Sequence, residues 1–98
     1  MNKFNYKGYN VKVVVAKYAE NNNTCLSLVD LEDNSPVAKI TVNLSNDLPD
    51  DQAFIKSWSE NIGMLDWCVK QGIVTEVIDV VKQGYVSIPL CKLNLNII

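Results

Sequence analysis

The side chains best suited to chemistry in this sequence are six carboxylates between positions 30 and 51: Asp30, Glu32, Asp33, Asp47, Asp50 and Asp51, with Lys39 the only base among them. Paired carboxylates drive glycoside and metal-assisted hydrolysis, but only when they face one another across a walled cleft. These six sit among Asn, Ser and Pro, in turn-like surroundings where a carboxylate is solvated or caps backbone amides. The oxygen-rich segment 43–51 lacks the spaced ligands, central glycine and terminal glutamate of an EF-hand loop. The other reactive side chains are Cys25, Cys68 and Cys91, which show no CxxC spacing and have no histidine to complete a zinc set. Each lies in an apolar run, so the three read as buried thiols in a reducing compartment, with convergence on a metal as the alternative.

The chain contains neither histidine nor arginine. Ser-His-Asp and Cys-His catalysis are therefore excluded, and so is the planar guanidinium fork that grips phosphates. The four glycines are isolated and form no phosphate-cradling loop. No catalytic residue, cofactor site or metal site is assigned on these grounds, and the expectation is a protein that is not an enzyme. Tyr6, Tyr9, Tyr18 and Tyr85, with Lys7, Lys12, Lys17 and Lys82 nearby, suggest a stacking platform for single strands. A net charge of −2 argues against direct nucleic-acid binding. Trp67 reads as core, whereas Trp58, between Lys56 and Glu60, reads as an exposed anchor for a protein partner.

The elements that position these residues follow from periodicity. Phe4 to Tyr6 is a short strand, Lys7-Gly8 a turn, and Tyr9 to Tyr18 a β-branched strand with Tyr9, Val11, Val13 and Val15 on one face. Glu20 to Asn23 is a loop, and Cys25 to Leu31 alternates again with Leu26 and Leu28 inward. After a turn at Glu32–Pro36, Val37 to Leu44 forms a strand with Ala38, Ile40, Val42 and Leu44 on one side. Residues 45–52 form an acidic loop, and Ala53-Phe54-Ile55 is too short to reveal its period. A helix over about residues 59–71 has Ser59 as N-cap, Ile62, Leu65 and Val69 as its apolar stripe, Gly63 weakening its first turns and Gly72 ending it. Ile73 to Val81 and Tyr85 to Leu93 form a hairpin across Lys82-Gln83-Gly84, and Pro89 marks an edge strand or a position that needs no N–H. The alternating tail Leu93 to Ile98 continues the strand, pairs with a second copy or frays. Asparagine is abundant and reads as composition bias.

The sum is one α+β domain over residues 1–98: an antiparallel sheet of five to seven strands with a single helix on one face. No basic leader and no long apolar run is present, so a cytoplasmic protein without membrane contact is expected.

Tyr6-Lys7-Gly8, Lys17-Tyr18-Ala19, Val37 to Leu44, Ala53-Phe54-Ile55 and Asn61 to Ile73 resemble a family of small uncharacterised bacterial proteins carried by phages and conjugative elements. The resemblance spans most of the chain and brings no catalytic signature. It implies an accessory protein that binds and inhibits a host defence protein, anti-CRISPR-like, with a CRISPR effector nuclease as the expected target. On that reading Asp30, Glu32, Asp33, Asp47, Asp50 and Asp51 imitate phosphates in a basic channel, with Trp58 as a further contact. The alternative is an interaction module that forms a homodimer through a sheet edge or the tail.

Overall fold

The computed structural model describes residues 2–98. Its class is the α+β expected, but the strands number eight, in two four-stranded antiparallel sheets rather than one sheet of five to seven. In the first sheet β1 (Phe4–Tyr6), β2 (Tyr9–Lys17), β3 (Thr24–Asp30) and β4 (Pro36–Lys39) follow in chain order. In the second, β5 (Thr41–Val42), β6 (Gln52–Ile55), β7 (Val74–Gln83) and β8 (Val86–Leu93) lie in the order β5-β6-β8-β7.

The sheets divide where sequence periodicity gives one continuous strand, at residues 37–44. Ile40 is fully buried, donates its N–H to Leu26 O at 2.9 Å and accepts from Lys56 N at 2.8 Å. The chain thus changes from one sheet to the other at Ile40, so a single strand becomes β4 and β5. Thr41, placed on the polar side by alternation, is buried; its Oγ1 accepts from Leu26 N at 3.2 Å and lies 2.9 Å from Tyr18 Oη. Burial raises the Tyr18 phenol to about 12.

The triplet 53–55 is β6, and Ala53, Phe54 and Ile55 are all buried. Consecutive strand residues point to opposite faces, so this strand is covered on both sides and shows no alternation. β8 is central rather than an edge, with β7 and β6 on either side. Its ladder with β6 stops at Leu90, however, and at Pro89 only the β7 partner Val80 is opposite. The missing N–H of Pro89 is tolerated because the third strand ends before it.

The helix is shorter than expected and turned differently. Ser59–Asn61 is a 3-10 turn, and α1 runs only from Met64 to Lys70. Gly63 is the N-cap, with φ of 87°, a left-handed conformation that favours glycine. Ser59 is not the cap; Ser57 Oγ instead accepts from Leu65 N at 3.1 Å. Because the helix begins after Gly63, Ile62 lies outside it and is 69% exposed, and Val69 is exposed as well. The buried pair is Met64 and Cys68, four residues apart on one face, with Leu65 and Trp67 partly buried beside them.

One core joins both sheets and the helix: Val11, Val13, Leu26 and Leu28 from the first sheet meet Ile55, Cys91 and Leu93 from the second, closed by Met64 and Cys68. Val11 and Val13 are buried as alternation requires, while Tyr9 and Val15 overhang the core and are half exposed. The tail neither extends β8 nor frays. Leu95–Ile97 is a 3-10 turn, Asn94 N donates to Ile73 O at 2.8 Å, and Leu95, Ile97 and Ile98 lie against the core.

Candidate protein-binding surfaces

The six carboxylates form two groups. Asp30 ends β3, and Glu32 and Asp33 lie in the turn that follows it. At the other end of the strand, Thr24 Oγ1 donates to Asp50 O at 2.7 Å, which places Asp47, Asp50 and Asp51 there. Seven strand residues at roughly 3.3 Å each put about 20 Å between the groups. The structure therefore does not gather the acids into one continuous surface, because the intervening chain returns antiparallel along β3.

In the first group Asp30 and Asp33 are occupied with turn formation, while the exposed Glu32 carboxylate makes no bond among the described residues. Asp30 Oδ1 accepts from Glu32 N at 2.8 Å, and Asp33 Oδ1 accepts from Ser35 N at 3.0 Å and Ser35 Oγ at 2.7 Å. These bonds from Ser35 hold the Asp33 carboxyl below its ordinary value. In the second group Asp50 pairs with Lys17 at 2.5 Å. Asp47 and Asp51 make no ion pair among the described residues. Trp58 is half-buried, with Lys56 Nζ 5.9 Å from its ring centroid, and is less free than an exposed anchor.

Asparagines fix the second acidic loop, a role that composition alone does not reveal. Asn23, buried, donates from Nδ2 to Asn46 O at 2.6 Å and accepts from Leu48 N at 3.0 Å. Asn21 Nδ2 adds a bond to Leu44 O at 3.0 Å, and Asn21 Oδ1 receives Asn23 N at 3.1 Å. Asn61, also buried, donates to Lys39 O at 2.6 Å and Lys56 O at 3.1 Å, tying the sheet change to the segment before the helix. The segments Asn21-Asn22-Asn23 and Asn43-Leu44-Ser45-Asn46 were the available signal: amides carry both donors and acceptors, as two irregular loops lying side by side require.

The three cysteines are free and buried. Burial pushes the Cys68 thiol up to about 12 and Cys91 to about 11, so neither is a thiolate near neutral pH. The tyrosines do not form a platform. Tyr6 is buried against Trp67 in an edge-to-face contact at 5.1 Å, Tyr18 is half-buried, and only Tyr9 and Tyr85 are open.

The β7–β8 hairpin carries four of the exposed large apolar side chains. Val77, Ile78 and Val80 are 42–53% exposed, and Tyr85, in the two-residue turn at the tip, is fully exposed. Beyond Leu90 no third strand accompanies the hairpin, so Val80–Gln83 and Val86–Pro89 form a two-stranded ribbon. Ile88 and Pro89, consecutive on β8, are both buried, so the base of the ribbon is covered on both faces and its open part is the tip around Tyr85. The free edge of β7 is blunted against strand addition: register shifts fall at Val74/Glu76 and Val77/Asp79, and Asp79 Oδ1 accepts from Val80 N at 2.7 Å. The ribbon thus offers side chains more readily than a backbone ladder. Sequence alternation marked these residues as strand, but only the order β5-β6-β8-β7 shows that β7 has no outer neighbour.

No helix among the described residues is long and apolar enough to cross a membrane. No protein-family model, curated protein or solved structure matches this chain.

Proposed function

We propose that this chain is a non-enzymatic protein-binding domain that engages its partner through the β7–β8 ribbon, with Tyr85 as the anchor and Val77, Ile78 and Val80 as the apolar flank. The observation that carries this reading is the full exposure of Tyr85 at the tip of a two-stranded ribbon, with Val77, Ile78 and Val80 exposed further back along β7. Tyrosine anchors of this kind concentrate binding energy at small cost in side-chain entropy. Lack of histidine, buried thiols and dispersed carboxylates favour binding over catalysis. The blunted edge of β7 and the tail docked on its own core favour a different protein over a second copy.

The partner class proposed is a host defence protein such as a CRISPR effector nuclease, and its support is the sequence resemblance alone. Phosphate mimicry would have to come from Glu32, Asp47 and Asp51 rather than from all six acids. Immobilised protein exposed to lysate of the encoding organism or its host tests the reading. A protein retained by the wild type, lost with Tyr85→Ala and retained with Asp47→Lys/Asp50→Lys/Asp51→Lys supports the ribbon. Loss only with the lysine variant would assign binding to the acidic loop instead.

A further inference from the structure

The surface of α1 carries a pattern that the core does not explain. Ile62, Leu65 and Val69 have the spacing of a buried stripe, yet Ile62 and Val69 are 69% and 51% exposed and Leu65 is only partly buried. Met64 and Cys68 fill the core instead, so the stripe is turned outward. Leu65 and Val69, four residues apart, form one apolar row along the helix. Asp66 and Lys70, each one position further on, form a charged row beside it, and both are exposed. Ile62, immediately before the capping Gly63, adds an exposed apolar side chain at the N-terminal end.

The charged row is a second, independent observation. An acid four residues before a lysine can pair with it within one helix. Asp66 and Lys70 do not, and neither makes any other ion pair among the described residues. Asp66 lies in the first turn of α1 and Lys70 in its last, so reversing the helix exchanges its acidic end for its basic one. When two copies meet antiparallel about a two-fold axis, each row faces its own counterpart in the reverse direction. Leu65 of each copy then meets Val69 of the other, and Asp66 of each meets Lys70 of the other. A parallel contact would instead set Asp66 against Asp66 and Lys70 against Lys70, which repel.

We propose that the outer face of α1 is a self-complementary contact through which two copies of this chain associate as an antiparallel helix pair. The apolar rows supply the burial, and the two unlike charge pairs fix direction and register. The contact uses none of the ribbon residues, so it stands independently of the partner proposed for Tyr85. The face is about two turns of helix long, which places the association in the weak, reversible class.

Sedimentation equilibrium and amide chemical shifts of the full-length protein are followed from about 10 µM to about 1 mM at low salt. The expected result is a mass rising from one chain towards two, with concentration-dependent shifts centred on residues 62–70. Val69→Lys, Asp66→Lys and Lys70→Asp, all at exposed positions, should each weaken association roughly tenfold, with melting curves confirming that each variant folds. An equimolar mixture of Asp66→Lys and Lys70→Asp should associate again, because each copy then offers the charges that the other lacks. Pairing within a single helix would give no such rescue. Tyr85→Ala should associate as the wild type does. The mass of one chain at about 1 mM, undiminished association of Val69→Lys, no rescue in the mixture, or shifts centred on the ribbon would overturn the proposal.

Discussion

Asn23→Ala offers a quantitative test of how the acidic loop is held. The substitution removes the amide that donates to Asn46 O at 2.6 Å and accepts from Leu48 N at 3.0 Å, both at a residue only 3% exposed. Each such bond is worth about 1 kcal/mol net, and each partner left unpaired out of water adds to the loss, so the expected cost is about 2–4 kcal/mol. For a domain of this size that corresponds to a fall in melting temperature of roughly 10–20 °C. Urea denaturation followed by the fluorescence of Trp58 and Trp67 measures it. Asn46→Ala is the control, because Asn46 offers only its main-chain oxygen to these bonds; it should change stability by less than about 0.5 kcal/mol. Equal losses in the two variants, or a change below about 0.5 kcal/mol for Asn23→Ala, would refute the side-chain network as the source of loop order.

Alkaline stability follows from Cys68, Cys91 and Tyr18. Their folded values lie above the unfolded ones, so the stability they contribute is complete below about pH 9 and is lost as the pH rises through about 12. Denaturation midpoints should fall over that window, and Cys68→Ala should fall less steeply than the wild type; parallel curves would count against burial of the thiol. A chain ending at Asn94 loses the packing of Leu95, Ile97 and Ile98 on the core and should be destabilised by about 2–3 kcal/mol while remaining the same mass by light scattering. Unchanged stability with a halved mass would instead assign the tail to self-association.

The middle of β2 and β3 was legible because the alternation there holds. Val11, Val13, Leu26 and Leu28 are inward as the period of two requires. Misreadings arose where a tertiary event overrides local pattern. Ile40 continues the alternation of 37–44, yet its two main-chain bonds go to Leu26 in the first sheet and to Lys56, just past β6 of the second. Ile62, Leu65 and Val69 have helical spacing, but Gly63 in a left-handed conformation delays the helix until Met64, and the buried face becomes Met64 and Cys68. The two acidic groups are close in sequence, but a returning strand between them carries one to the far end of β3. The length of 37–44 was itself the signal for that separation. Exposure of the β7–β8 ribbon depends on strand order, which hydrophobic pattern does not encode.

The claim that the ribbon tip meets the partner is tested most directly by photo-crosslinking in the host cell, with p-benzoyl-phenylalanine replacing either Tyr85 or Asp47. A covalent adduct from position 85 and none from position 47 is the predicted outcome. An adduct from position 47 with none from position 85 would contradict the account and return the contact to the acidic loop.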